Sequence, residues 1–413
     1  MTRYKRPISQ TDLREKNLST LLYCLRAEAP ISRANLANLT QLNKSTVSSL
    51  TEELLEAGVI EDVGLAVSGG GRPGKLLEIN GNGGYAIGVE FSAHAVFVVL
   101  TDLKGQILMA IDSEIEQADQ DGSLKTAVSL INQVLVTPKA QSGRIIGIGI
   151  AIAGVVDSQN GRLLYSPNLQ WRHIDILKYF EDQFNFPIIV ENNANAAALG
   201  EYFFGAAQLI DNFIFISVGK GIGAGIFLNG DLYRGASSLA GEVGQSHVVQ
   251  GRRWLKNMDR QRWDSFANKD ALLNRILTHI EQGKSSIVSD WIDEKRPLTL
   301  KMVHKAAEAG DDVVCRCVKD IGERIGLGIA NMVHFIDPSL ILLGGELATV
   351  GNHLLPHIER IVHNSDLIER LKPVQIEVSK FREDAILIGA STLVIQMAIN
   401  QPKTYLLLEP ALN

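Results

Sequence analysis

Cysteine is scarce. Three occur in 413 residues, Cys24, Cys315 and Cys317, too few for a disulfide framework. Cys315 and Cys317 lie in a stretch of helical texture, where residues two apart point roughly 200° away from each other, so they make a poor metal pair. Long apolar runs are also missing. No stretch approaches the about 18 consecutive apolar residues of a membrane span, and the opening MTRYKRPISQTDLREKN lacks the apolar centre of a signal peptide. The expectation is a cytoplasmic protein with no membrane partner. Nor is there a basic excess, because 40 Lys and Arg stand against 46 Asp and Glu, for a formal net charge of −6. The balance is uneven: residues 1–80 carry ten basic and nine acidic side chains, and the remainder thirty and thirty-seven. A hydrophobic content of 46% and a charged content of 21% describe an ordinary globular chain, long enough for about three domains.

What is present at the start is a set of short helical periods. Leu18, Leu21, Leu22 and Leu25 recur at helical spacing and predict an amphipathic helix over roughly residues 11–27. Ser32 can cap a short helix, SRANLANLT, with Leu36, Ala37 and Leu39 inward. Gln41-Leu42-Asn43 then turns the chain, and Asn43 can cap a second helix, KSTVSSLTEELLEAG. Two short helices joined by a tight turn have helix-turn-helix geometry. The second helix buries Val47, Leu50 and Leu54, leaving Lys44, Ser45, Thr46, Ser48 and Ser49 outward on its N-terminal half. Such short, polar, lightly basic side chains suit phosphates and base edges in a major groove. The acidic Glu52, Glu53 and Glu56 follow where the helix would leave that groove. The helices alone fit a solvated face on a three-helix bundle equally well. The next segment favours DNA: residues 59–63 and 75–79 read as two short strands bracketing GLAVSGGGRPGK, which is a wing. Its glycines 69–71 let the backbone press close, and Arg72, stiffened by Pro73, is placed to reach a minor groove.

From Tyr85 the texture changes to strands and glycine turns. YAIGVEFSAHAVFVVLTDLKGQIL reads as two or three antiparallel strands with a turn at Asp102-Leu103-Lys104-Gly105, and residues 145–153 form a buried strand. FIFISVGKGIGAGIFLNGDLYRG gives strand, glycine turn, strand, with Asn229-Gly230 as a two-residue hairpin signal. GLGIANMVHFIDPSLILLGGELA is a helix, a strand and a glycine turn. The class is α/β with mixed sheets. In VENNANAAALGE, residues 190–201, a strand end feeds an Ala-rich helix, with Glu191, Asn192 and Asn193 at the junction. Such junctions hold ligands in α/β proteins, because unpaired backbone N–H groups and the helix dipole are available there. An amide at that point can hold a hydroxyl but cannot carry away its proton.

AIAGVVD, SPNLQW, ENNANAAALGEYFFG, SVGKGIGAGIFLNGDLYRG and LAGEVG, in this order, resemble the ROK family of sugar kinases and sugar-responsive repressors. The N-terminal module with GGGRPGKLLEIN is similar to its repressor branch. The resemblance covers nearly the whole chain. It implies a winged helix-turn-helix over residues 1–81, a two-lobed actin-like ATPase-type domain over 82–400, and a tail at 401–413. Gly154, Asn168, Asn192, Asn193 and Glu242 match family positions that contact or line the sugar. Amides with a carboxylate suit a polyhydroxylated ligand, although Asn192 and Asn193 could also simply cap the following helix.

Phosphoryl transfer needs a glycine turn, a metal-organising carboxylate and a base, and two of these three requirements are damaged here relative to the family's kinases. Their phosphate-binding Asp-x-Gly-Gly-Thr type turn is replaced by Gly88-Val89-Glu90-Phe91-Ser92-Ala93, which keeps a carboxylate at Glu90 but puts Phe91 and Ser92 where glycines would open room. A second phosphate turn survives as Gly219–Gly225, where a tightly packed hairpin would need the same glycines. The position of the general base carries Asn193 instead of Asp, and losing such a base typically costs about 10²–10⁴ in rate. The family's structural zinc cluster is absent too: Gln245 stands at the His place, the run GEVGQSHVVQGRRWLKNMDRQRWDSF holds no cysteine, and His247 alone cannot replace four ligands. Gln245 and Asp264, the latter where the family often has Glu, remain sugar-contact candidates. The loop must then be held by packing around Trp254 and Trp263.

The reading is a sugar-responsive transcriptional regulator, a repressor of carbohydrate-utilisation genes. It binds double-stranded operator DNA as a homodimer or dimer of dimers and a small-molecule sugar effector in a catalytically inactive cleft, with no cofactor and no metal. The rivals are an active ATP-dependent sugar kinase with a regulatory DNA-binding module, and a ligand-independent architectural DNA-binding protein.

Overall fold

Ser9 opens helix α1 (Gln10–Glu28) with a reciprocal cap, accepting from the Asp12 N–H at 3.1 Å while its own N–H donates to the Asp12 carboxylate at 3.0 Å. Leu18, Leu21, Leu22 and Leu25 are buried along one stripe of this helix. Ser32 caps α2 (Arg33–Thr40), accepting from Asn35 N at 3.2 Å. Leu36 and Ala37 face inward, but Leu39 is 53% exposed, contrary to its expected inward placement. A helix of two turns has a narrow buried face, and Leu39 lies roughly 200° from Ala37 around it. Gln41 turns the chain at φ 58° into α3 (Lys44–Glu56). Asn43 occupies the cap position of α3 without a side-chain capping bond. Thr51 joins the two helices, donating to Val47 O at 2.8 Å and accepting from Arg33 Nε at 2.8 Å. Strands β1 (Ile31–Ser32), β2 (Ile60–Leu65) and β3 (Lys75–Ile79) form a small sheet in the order β1-β3-β2. Helix-turn-helix plus antiparallel β2–β3 hairpin is the winged arrangement expected from the sequence.

The computed structural model describes residues 9–65, 74–115, 119–248, 262–292, 296–364 and 373–407. Arg72 and Trp254 lie outside the described residues. The chain forms two compact units, one of Met1–Ala151, Asp175–Val190 and Ala390–Asn413, the other of Ile152–Ile174 and Glu191–Gly389.

Beyond the winged helix, the first unit is built on the antiparallel meander β4 (Tyr85–Phe91), β5 (Ala95–Asp102) and β6 (Ile107–Glu114). Strand β7 (Ile145–Ile152) sits beside β4, and α4 (Gln120–Leu135) covers β5 and β6. The short helices α5 (Pro138–Gln141) and α6 (Ile176–Glu181) fill connections. A second small sheet, β10-β9-β8, consists of β8 (Val155–Asp157), β9 (Arg162–Ser166) and β10 (Trp171–Asp175), and all of it but Asp175 belongs to the second unit. Strand β11 (Ile188–Asn192) completes a five-stranded sheet of order β11-β7-β4-β5-β6 and leads into α7 (Asn193–Phe204).

The second unit repeats that order in β12 (Phe213–Val218), β13 (Ile222–Leu228), β14 (Asp231–Leu232), β15 (Leu340–Gly344) and β16 (Gln375–Val378), arranged β14-β13-β12-β15-β16. The β13–β14 turn puts Asn229 at φ 55° and Gly230 at φ 80°, the pair of positive angles that a two-residue hairpin needs. Helices α8 (Lys269–Glu281), α9 (Leu300–Glu308), α10 (Asp312–Ile336) and α11 (Gly351–Val362) follow, and α12 (Ala385–Asn400) and α13 (Pro402–Tyr405) end the described chain. On α10, Cys315 is exposed and Cys317 buried, the opposed directions that their spacing dictates. Trp263 is 1% exposed, donates its indole N–H to Arg324 O at 3.0 Å, and lies so close to Gly328 that any Cβ there would collide with the ring. Trp263 is thus a packed residue as the sequence leads one to expect, while residues 249–261 of the loop before it lie outside the described residues.

Candidate functional site

The junction between β11 and α7 is organised by Asn192. It caps α7, its Oδ1 accepting from Ala194 N at 2.8 Å and Asn195 N at 3.1 Å, and its Nδ2 donates to Gly154 O at 2.9 Å. The capping role weighed from the sequence is therefore occupied, and Asn192 also ties the junction to Gly154. Gly154 has φ 130°, and a side chain there would strike Tyr165 O, which is why the position takes glycine. Asn193 opens α7 with its Oδ1 accepting from Ala194 N at 3.0 Å. Asn168 sits on the turn after β9, shaped by Leu169 N donating to Ser166 Oγ at 3.3 Å, and its Nδ2 lies 3.8 Å from the Cβ position of Gly221.

A second cluster gathers Glu242, Gln245 and Asp264. Gln245 Nε2 donates to Asp264 Oδ2 at 2.9 Å. Arg262 Nε stands 3.4 Å from Asp264 Oδ1, an ion pair without hydrogen-bond geometry, since that oxygen is buried with no hydrogen-bond partner. Burial raises the Glu242 carboxyl above its usual range, and the neighbouring Asp264 charge raises it further. Burial likewise raises Asp264, against the lowering effect of Arg262 and Gln245.

Strand β13 is the surface on which both clusters are mounted. At Gly225 a Cβ would lie 2.4 Å from Ala198 Cβ and 2.5 Å from Ala194 O, so α7 packs against bare backbone. On the same strand Ala224 N donates to Gly241 O at 2.8 Å, and Gly241, at φ 89°, admits no side chain because Ala224 O is 1.9 Å from its Cβ position. The structure thus brings Gly154, Asn192 and Asn193 into one group and Glu242, Gln245 and Asp264 into another, with Asn168 beside the Gly219–Gly225 turn.

The sequence reading missed two features of this region. Glu191 is buried, accepting from Asn192 N at 2.9 Å and Asn195 Nδ2 at 3.1 Å on Oε1, and from Arg234 Nε at 2.7 Å on Oε2. Glu346, after β15, stands over the glycine turn, its Oε1 3.0 Å from the Cβ position of Gly219 and its Oε2 2.6 Å from Lys269 Nζ. Pairing across such sequence distances leaves no local signal, although a Glu beside an asparagine pair in a buried strand was a cue for the first. Asn268 Nδ2 donates to Lys220 O and Lys269 N to Gly219 O, both at 2.9 Å. At the other turn, Ser92 N donates to Ala95 O at 3.0 Å and Ser92 Oγ accepts from Ala95 N at 3.2 Å. Phe91 does not fill that turn: its ring is in the core, 6.3 Å from Phe180. Among the described residues, no group of three or more His, Cys, Asp or Glu could hold a metal ion.

On the winged helix, Lys44, Ser45, Ser48 and Ser49 are exposed and Thr46 is half-buried, all on the N-terminal half of α3. Arg72 cannot be placed beside them, lying outside the described residues.

The protein-family pattern described as "ROK family" matches residues 86–397. The xylose repressor of Caldicellulosiruptor bescii is 30% identical over 399 residues, covering 96% of this chain and 99% of its own length. The DNA-binding transcriptional dual regulator NagC of Escherichia coli is 27% identical over 394 residues, covering 95% and 96%. A solved ROK family transcriptional regulator, described as a homologue of the E. coli MLC protein, has a TM-score of 0.80 at 24% identity over 96% of this chain and 99% of that one. A ROK family glucokinase from Streptomyces griseus, solved with glucose and AMPPNP, has a TM-score of 0.62 at 26% identity over 75% and 98%. The fold is the winged helix followed by an actin-like sugar-kinase architecture, and the chain belongs to the ROK family.

Proposed function

We propose that this chain is a sugar-responsive transcriptional repressor in which residues 1–81 bind operator DNA and residues 82–400 bind a sugar effector without phosphorylating it. The observation that carries this reading is the company of Glu242. Its carboxyl with Gln245 and Asp264 forms one polar group, and the Asn192–Asn193 pair forms a second against the same strand β13; together they would offer acceptors and donors to a polyol, on a chain that also bears a winged helix and has relatives named as repressors. Lys44, Ser45, Thr46, Ser48, Ser49 and Arg72 are the proposed DNA contacts; Gly154 and Asn168 complete the proposed sugar set.

Three features argue against phosphoryl transfer. Asn193 cannot act as a general base. The Ser92 N–H is spent inside its own hairpin. The Glu346 carboxylate, ion-paired with Lys269, stands beside Gly219 in the space through which a nucleotide phosphate would approach the turn. The effector acts as any allosteric ligand does, by binding one of two operator-binding states more tightly. A homodimer or a dimer of dimers suits two half-sites about one helical turn apart.

The test is a thermal-shift panel of pentoses, hexoses and amino sugars, run beside a sugar-dependent ATP-hydrolysis assay. The reading expects a saturable rise in melting temperature with one sugar class, lost in Glu242→Ala, and no turnover above background. Sugar-dependent hydrolysis would establish the kinase instead. No shift with any sugar would favour the ligand-independent architectural protein.

A further inference from the structure

Glu191 is a charge held where charges rarely sit: its side chain is 2% exposed against 39% for Arg234, its ion-pair partner 43 residues away in sequence. A carboxylate so buried persists only when paired and hydrogen-bonded. Both oxygens are engaged, Oε1 by Asn192 N and Asn195 Nδ2, Oε2 by Arg234 Nε. One oxygen therefore sets the backbone and first turn of the asparagine junction, and the other reaches a different segment.

That segment leads to Glu242. Arg234 follows β14, and its carbonyl accepts from Ala240 N at 3.3 Å, closing the chain on itself. Gly235, at φ 74°, makes the closure possible, with Ala240 N 3.4 Å from its Cβ position. Gly241 is fixed next by its bond to Ala224 N on β13, and Glu242 comes immediately after. Arg234 thus anchors by its side chain the same loop that it closes by its backbone.

We infer that Arg234 is a positioning residue for effector binding: by its ion pair with Glu191 it holds the Glu242 loop in register with Asn192 and Asn193. This rests on the effector reading above, and it assigns Arg234 no contact with the sugar. The site depends on the pair because its carboxylate and its amides come from separate stretches of chain, and Glu191–Arg234 is the charged link between those stretches.

The experiment uses the full chain and the sugar that gives the largest melting shift with the parent protein. Titrations measure effector affinity, and operator affinity without effector, for Arg234→Ala, Arg234→Lys and the double variant Glu191→Gln/Arg234→Ala. The double variant removes both charges, so a buried unpaired carboxylate does not unfold it. Arg234→Ala and the double variant are expected to bind effector at least about tenfold more weakly, equivalent to about 1.4 kcal/mol. Arg234→Lys should recover most of that loss, and effector-free operator affinity should stay at the parental level in all three. Parental effector affinity in the folded double variant, or no recovery with Lys, overturns the inference while leaving the effector reading intact. A parallel loss of effector and operator affinity overturns it in favour of a general stabilising role. A parent protein that responds to no sugar overturns both.

Discussion

At the scale of single residues, the paired carboxyl groups are the most informative. Glu242 and Asp264 are both raised, chiefly by burial, so the folded protein holds those protons more tightly than the unfolded chain does. Their contribution to stability is then full at pH below the unfolded values and is lost as pH rises through the raised, folded ones. Above those raised values each charge is held against the fold's preference. Glu242→Gln should therefore raise the melting temperature of the effector-free protein at pH 7, by an amount that shrinks as pH falls toward the ordinary glutamate value of 4.5, while abolishing the sugar-dependent shift. Thermal melts from pH 4 to 8 check this, and a destabilised Glu242→Gln at pH 7 would contradict it. Asn192→Ala should cost about 1 kcal/mol for the lost cap, read by urea denaturation, with a further loss from the unpaired Gly154 carbonyl. The identities of Asn192, Asn193 and Glu242 as candidates were legible because each sits inside a recognisable stretch. The ion pair of Glu191 with Arg234 and the placement of Glu346 over Gly219 were not, because nothing local marks a partner dozens of residues away.

Among the elements, those with strong periodicity were read best. The structure gives α1 the span Gln10–Glu28 where the leucine spacing predicted 11–27, and the β13–β14 hairpin falls at Asn229-Gly230. Leu39 was misplaced because a two-turn helix offers too few residues for periodicity to define its face. Phe91 was misread as an obstruction because its side-chain direction depends on the pleat of β4, which sends the ring into the core. Two further outcomes belong to elements. Lys44→Ala at the start of α3 should weaken operator binding and lower the slope of log affinity against log salt by about one, the mark of a single lost phosphate contact. An unchanged slope would remove Lys44 from the interface. Gly225→Val should destabilise the protein by about 1–3 kcal/mol or more, since the added Cβ alone meets Ala198 and the Ala194 carbonyl inside 2.6 Å. That loss, measured by denaturation, should come with weaker effector binding, because α7 would be pushed from its seat on β13.

For the molecule as a whole, the repeated sheet order in the two compact units places it among actin-like kinase folds, and the small winged sheet with its helices adds a DNA-binding form at the N-terminus. The fold class was readable in the sequence because its ordered glycine and asparagine stretches fall at strand ends, where backbone geometry demands them. Among the described residues no helix is long and apolar enough to cross a membrane. What the whole chain is proposed to do is couple two binding events, and that coupling is a free energy with the same size in either direction. The most direct measurement is a fluorescence-anisotropy titration of operator DNA with the full-length protein, with and without the sugar that raises its melting temperature, at fixed salt. The account predicts that the saturating sugar changes operator affinity by about 5–150-fold in the parent protein and leaves it unchanged in Glu242→Ala. Identical operator affinity with and without a sugar that demonstrably binds would contradict it.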